Sequence, residues 1–265
     1  MTLQSKLQLA RMMLPPDIKQ LDPWQEEVLT SINPENHVLV HRQGGKSRII
    51  GVKASIVAIT EPGSLILNVS RSWRQSLELA RKIRESLTLY QQSLQRQHEE
   101  FDVELGLLTD TKSEFELPNG SRIVSLPPNE ETIRGYSKPR LVILDEASRI
   151  SDDVYLCLRP MRLMSPNWEL WLISTPFGQR GFFYQETRNP EIKKYKHTIN
   201  DALKAGRVSQ SFIDEERKKG DLYFRQEFEC EFLSNLQTLF NRKELEESLV
   251  DGDAMVELYA CLQKN

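Results

Sequence analysis

Little in this sequence invites a disulfide, a metal or a membrane. Its 265 residues include three cysteines and four histidines. Cys157, Cys230 and Cys261 are far apart and odd in number, which argues against a disulfide framework. His37, His41, His98 and His197 follow no ligand spacing and read as structural or surface residues. No apolar run has the length of a bilayer span. The N-terminal MTLQSKLQLARMMLPPD carries Arg11 inside its only apolar patch, unlike the uninterrupted core of a signal peptide, so a cytosolic protein is expected. An excess of positive charge is missing too. The net charge is −3, which rules out a wholly basic surface but not a local basic patch for nucleic acid. With 39% hydrophobic and 28% charged residues the composition is globular, and the length suits one large domain or a domain with a small appendage. No internal repeat or low-complexity tract is present.

A glycine is also missing where one is expected. VLVHRQGGKSRII, residues 38–50, reads like the phosphate loop G-x-x-x-x-G-K-[ST], with Val40 in place of the first glycine and Arg42 and Gln43 just downstream. The second half is intact. Gly44 and Gly45 allow close backbone approach to a ligand, Lys46 could reach the β- and γ-phosphates, and the Ser47 hydroxyl could coordinate Mg2+. The triplet Gly-Lys-Ser alone is weak evidence. Its context strengthens it, because HVLV before it reads as a buried strand and SRIIGVKASIVAIT after it as a helix, whose N-terminus adds to an anion cradle.

The rest of the chain alternates in the same manner. Asp22 and Pro23 read as the N-cap and first position of a helix in LDPWQEEVLTSI. SLILNVS reads as a buried strand. Trp73, Leu77, Ala80, Ile83, Leu87, Tyr90 and Leu94 mark one face of a long helix, with Arg74, Arg81, Lys82 and Arg84 on the other. SEFELPNGSRIVSLP reads as a hairpin with Asn119-Gly120 as a two-residue turn. LVILDEA and ELWLISTP are further apolar strands. Apolar strands alternating with helices predict an α/β fold, a mostly parallel sheet with helices on both faces. The P-loop core is expected at about 35–199. Residues 1–34 and 200–265 are expected to form a small helical lid or linker subdomain.

The strand ends carry the remaining chemistry. Asp145 and Glu146 close an apolar strand, where side chains point into the ligand crevice of open α/β sheets. Asp145 could hold Mg2+, and Glu146 could orient and polarise an attacking water. An acidic helix N-cap is the plainer alternative. Ser174 and Thr175 close another strand, where their hydroxyls could sense the γ-phosphate, although a simple strand-ending turn uses the same residues. Loop, acidic strand end and hydroxyl strand end, in that order, fit P-loop ATPases that couple hydrolysis to motion.

Arg42-Gln43-Gly44-Gly45-Lys46-Ser47 resembles the deviant phosphate loop of the large terminase subunits of tailed bacteriophages. The resemblance extends along nearly the whole chain. Pro23-Trp24-Gln25 resembles that family's adenine-binding glutamine motif. Asn119-Gly120-Ser121-Arg122-Ile123, Thr132-Ile133-Arg134-Gly135, Leu144-Asp145-Glu146-Ala147 and Ser174-Thr175-Pro176 with Gly178 are similar to its other stretches, and FRQEFECEFL looks like the end of its ATPase domain. The resemblance implies a RecA/ASCE-like P-loop ATPase that uses ATP and Mg2+ to drive double-stranded DNA into a procapsid. It implies a homo-oligomeric ring, with portal and small terminase subunit as partners, in the cytoplasm of an infected bacterial cell. Gln25 would read adenine, Arg42 would face the triphosphate, and Ser174 and Thr175 would belong to the coupling motif. Arg134 is the candidate for an arginine finger supplied in trans, with Arg140 as runner-up.

Full-length members carry a second, nuclease domain with a two-metal carboxylate cluster. Asp251 and Asp253 do not make such a cluster alone, so no nuclease activity is expected of this chain. Arg71, Arg74, Arg81, Lys82, Arg84 and Arg122 are candidates for sequence-independent phosphate contacts with DNA. Two other functions remain open: a nucleic-acid-dependent helicase or remodelling ATPase, and a nucleotide-gated binding module that hydrolyses poorly.

Overall fold

The computed structural model describes residues 2–18, 20–97 and 106–234. Asp251, Asp253, Cys261 and His98 lie outside these residues. Ten α-helices and eight strands are described. The chain begins with α1 (Leu3–Met12) and α2 (Pro23–Thr30), then β1 (Glu35–Val40), α3 (Lys46–Thr60), β2 (Leu65–Ser70) and α4 (Trp73–Gln97). The short β3 (Thr109–Asp110) and β4 (Glu114–Glu116) precede β5 (Arg122–Leu126), α5 (Glu130–Arg134), β6 (Leu141–Asp145) and α6 (Asp152–Leu158). Then come β7 (Glu169–Ser174), α7 (Gly181–Gln185), β8 (Lys193–His197), α8 (Ile199–Lys204), α9 (Gln210–Arg217) and α10 (Asp221–Glu227).

The strands form one sheet in the order β3-β4-β5-β2-β6-β7-β1-β8. All pairings from β5 to β8 are parallel, and only the β3-β4-β5 edge is antiparallel. The expected α/β fold with a mostly parallel sheet is thus observed. Helices cover both faces, because residues along each strand alternate between two cores. Val38, Val40, Ile66, Ile143 and Ile173 pack under α1, α2, α3 and α4. Leu39, Leu67, Val69, Leu144 and Leu172 pack under α6 and α7. The first two helices thus sit on the sheet, contributing Ala10, Met13, Trp24, Val28 and Leu29 to its core. The last three helices gather around their own small cluster of Ile199, Ile213, Phe224 and Phe228. Arg207 ties the two terminal regions together by donating to the Asp22 carboxylate at 2.9 Å.

Helix α3 is apolar nearly all round, with Ile49, Ile50, Val52, Ala54, Ile56 and Val57 all buried, which makes it the central helix of its face. Helix α4 is amphipathic, but its buried stripe is turned from the one read in the sequence. Ser76, Leu79, Ala80, Ile83, Ser86 and Leu87 are buried, whereas Trp73 is exposed. The polar groups explain the turn. Ser76 Oγ accepts from the Ser70 N–H at 2.9 Å and donates to the Leu126 carbonyl at 2.8 Å, fastening α4 across β2 and β5.

The β4-β5 hairpin also departs from expectation. Glu116 pairs with Arg122, and the Leu117 N–H meets the Ser121 carbonyl, so the connection has three residues, Pro118, Asn119 and Gly120. Pro118 suits the second position of the turn, and Gly120 takes the left-handed conformation with φ of 79°.

Candidate functional site

The C-terminal ends of the parallel strands meet along one edge of the sheet, where ligands bind in this class of fold. β7 lies between β1 and β6, so the loop after β1 and the acids after β6 flank the end of β7. The expected residues of all three segments converge there. A cleft of about 570 Å³ is lined by Arg42, Gln43, Gly45, Lys46, Ser47, Glu146 and Thr175 among others.

The loop is shaped by its backbone. Gln43 and Gly45 are left-handed, with φ of 60° and 86°. Gly44 has no room for a side chain, because a Cβ there would stand 2.6 Å from Val40 Cγ1. Val40, which replaces the usual glycine, thus closes against the loop it belongs to. Lys46 is buried, and its ammonium donates to the Val40 and His41 carbonyls at 3.2 Å each, at the foot of the loop. Gln25 accepts the Asp22 N–H through Oε1 at 2.9 Å in a capping box, which leaves Nε2 beside Gly45.

Ser47 Oγ donates to Asp145 Oδ2 at 3.0 Å, joining the helix start to the acid strand. Burial, reinforced by the Glu146 charge, pushes the Asp145 carboxyl up to about 6, against the Ser47 hydrogen bond and the Lys46 charge. Glu146 is left-handed with φ of 56°, a conformation costly for a residue with a side chain and concentrated at functional sites. It turns the carboxylate into the cleft, where Ser174 Oγ donates to Glu146 Oε2 at 3.4 Å. Ser148 and Ser174 hydroxyls lie 2.8 Å apart and extend this chain.

Several cleft residues were not legible as such. Arg71 and Lys82, read as DNA candidates, line this cleft, together with Arg48, Gln75, Arg149 and Glu227. Glu227 alone had a signal: an acid three residues after Phe224, on the helix face that Phe224 buries. Other basic candidates are engaged elsewhere. Arg81 pairs with Glu78, Arg122 with Glu114, and Arg84 with Asp110 while covering the Phe115 ring.

The two finger candidates do not line the cleft. Arg134 lies on exposed α5, paired with Glu130 at 2.8 Å, beside a more apolar hollow formed by Tyr136, Leu156, Met161 and Met164. Arg140 precedes β6, at the opposite edge of the sheet, where it binds Glu61 and Glu169. The described histidines are pressed toward neutrality. Burial drives His37 down to about 4 and lowers His41 and His197, which stand 5.7 Å apart behind the loop. No described helix is long and apolar enough to cross a membrane.

Known proteins share this architecture. The ATPase domain of the Thermus phage P74-26 large terminase superposes with a TM-score of 0.65 at 18% identity, covering 81% of this chain and 94% of that one. A large terminase from a thermophilic bacteriophage superposes with a TM-score of 0.56 at 10% identity, covering 91% of this chain. This chain spans 57% of that protein's length. The same phage protein in complex with ATP-gamma-S superposes with a TM-score of 0.54 at 8% identity, covering 87% of this chain and 52% of that one. Comparison with curated proteins gives no match. The model of the family described as terminase large subunit, T4likevirus-type, N-terminal, matches residues 39–247, beginning in the strand that carries the loop and running past the acids and Glu227. The chain belongs to this family of large terminase N-terminal regions.

Proposed function

We propose that this chain is the ATP-hydrolysing motor of viral genome packaging, one subunit of a ring that moves double-stranded DNA into a procapsid. The observation that carries the reading is the contact between Ser47 and the buried Asp145, set between a lysine-bearing loop and an acid aimed into the same cleft. Backbone N–H groups at the start of α3 and the Lys46 ammonium suit the β- and γ-phosphates. Gln25, anchored through Oε1, keeps Nε2 available to read adenine. Ser47 and Asp145 offer hard oxygen donors, and the buried Asp145 carboxylate is held by a serine hydroxyl rather than by a cationic side chain, so both fit Mg2+. When bound, Mg2+ supplies charge neutralisation to the phosphate oxygens. Glu146 accepts the proton of the attacking water, held in orientation by Ser174. Thr175 lies beside it at the coupling strand end, and Arg42 stands at the cleft mouth, 57% exposed, able to turn toward the terminal phosphate.

Arg134, outside its own cleft, suits a neighbour's active site, an arrangement in which a finger contributes about 10³–10⁵ in rate. DNA contacts would be to phosphates, independent of sequence. Portal and small terminase subunit are the partners of this reading. The test is ATPase rate per chain against protein concentration, with Glu146→Gln as the blank. A rate per chain that climbs with concentration, and is lost in Arg134→Ala, is expected. A flat and substantial rate would overturn the shared site, and no turnover under any condition, with DNA and portal added, would overturn the motor.

A further inference from the structure

Strand β2 ends on a serine that faces Asp145. Strand residues alternate between the two faces of the sheet, and Val69 and Leu144 both pack in the core under α6 and α7. Ser70 and Asp145, which follow them, therefore point the other way, toward α3 and α4. The two are direct partners in the parallel register of β2 and β6, on strands about 4.8 Å apart. Arg71 and Gln75, just beyond Ser70, line the cleft, so β2 ends where the cleft begins. Each Asp145 oxygen has a donor from the protein. Oδ2 accepts from Ser47 Oγ at 3.0 Å, and Oδ1 accepts from the Glu146 N–H at 3.2 Å. Ser70 differs. It is fully buried, and its N–H donates to Ser76 Oγ at 2.9 Å, but its hydroxyl has no hydrogen-bond partner among the described residues. A buried hydroxyl left in that state is destabilising, so its retention beside an acid calls for an explanation.

Mg2+ dehydrates reluctantly and keeps several waters when a carboxylate and phosphates bind it. Groups that hydrogen-bond to such a shell orient it and raise the affinity for the ion. A hydroxyl can do this because it accepts as well as donates. We propose that Ser70 is a positioning residue of the cation site, accepting a hydrogen bond from a water of the Mg2+ hydration shell on the α4 side of Asp145. This rests on the ATP-site reading above and extends the cation site from α3 and β6 to β2. The competing occupant is a structural water shared with Asn68, whose Oδ1 is also buried without a partner two residues deeper on the same face.

The test is the affinity of the nucleotide-bound chain for Mn2+, which takes the same octahedral oxygen ligands as Mg2+. Mn2+ is titrated into the whole chain with ADP kept below the chain concentration, and free Mn2+ is read by electron paramagnetic resonance. Ser70→Ala is expected to bind Mn2+ about tenfold more weakly. Its ADP affinity in EDTA should equal that of the wild type, and its unfolding midpoint without metal should not fall, since the hydroxyl it loses has no protein partner. Wild-type Mn2+ affinity overturns the proposal. With a lowered midpoint, that result would assign the hydroxyl to the structural water. A loss of ADP affinity that appears equally in EDTA also overturns it. Should Ser70→Ala not fold, Ser70→Cys decides, because it keeps a side chain of similar shape and replaces the hydroxyl with a weak acceptor. The same tenfold loss is expected, and wild-type Mn2+ affinity overturns the proposal. Asp145→Asn separates the underlying reading, since wild-type Mn2+ affinity in that variant would sink the cation site itself.

Discussion

At the N-terminal ends of β6 and β7, Arg140 binds Glu61 and Glu169, Lys53 reaches Glu169 at 3.3 Å, and the Trp171 indole donates to the same carboxylate at 3.1 Å. At the C-terminal ends of the same strands, Arg42, Lys46, Arg48, Arg71, Lys82 and Arg149 line a cleft together with Glu146 and Glu227, with Asp145 behind Ser47 and Glu85 paired to Arg48. The lower cluster matches two cations with two carboxylates. It is largely buried and leaves no net charge for a ligand. The upper one is cationic in excess, and Lys46 finds only carbonyl oxygens. Opposite edges of one sheet have therefore been put to different uses. The balanced edge holds the layers together, while the unbalanced edge is poised for an anion.

The largest test of that contrast is Glu146→Gln. Removing a general base costs about 10²–10⁴ in rate, so turnover should stop at the detection limit while ATP affinity and unfolding midpoint stay near wild type. Normal turnover would remove Glu146 from the chemistry and leave the upper edge without its reactive acid. Next comes Glu169→Ala, which removes the carboxylate paired with Lys53 and one of the two that bind Arg140. Burial already lowers the Lys53 pKa, with Glu169 opposing it, so removing the acid should cost about 3–5 kcal/mol in urea unfolding. A loss under about 1 kcal/mol would mean that the lower edge does not hold the layers.

The smallest effect is a pH limb. The Asp145 carboxyl is raised to about 6 in the fold from an ordinary value of 3.8. Its ionisation therefore opposes folding: the stability that its neutral form contributes is complete below the ordinary value and lost as pH rises through about 6. Cation binding needs the ionised form, so turnover should fall about tenfold per pH unit below that point. Raising Mg2+ should move the limb to lower pH, since cation and proton compete for one carboxylate. A limb that ignores Mg2+ would assign the titration to another group.

The contrast between edges also explains what the sequence disclosed. The loop and the strand ends were readable because apolar runs stop at Val40, Asp145 and Ser174, and the fold delivers strand ends to one edge. The mostly parallel sheet was readable from the alternation of apolar runs and helices, whereas the order of its strands was not. Arg149 was hidden, and Glu227 showed only its place beside Phe224, because their meeting depends on α10 returning to the loop, which no local period encodes. Arg71 and Lys82 were read as DNA contacts because a run of basic residues along α4 and just before it shows a cationic face, not what that face overlooks. The turn at Asn119-Gly120 misled because Pro118 adds a third residue to the connection. Trp73 misled because apolarity alone sets the stripe in a periodicity count, whereas two buried serines set it in the structure.

One element runs between the two edges. Helix α3 starts with Lys46 in the cleft and carries Lys53 about two turns later, where it donates to the Ser31 carbonyl at 2.6 Å and pairs with Glu169. Sliding α3 by a single turn, about 5.4 Å, would pull Lys53 out of reach of both partners. In mechanical terms the helix is a bolted strut. Recoil at the phosphate loop is resisted along its axis, and displacement is left to whatever grips the loop from the side.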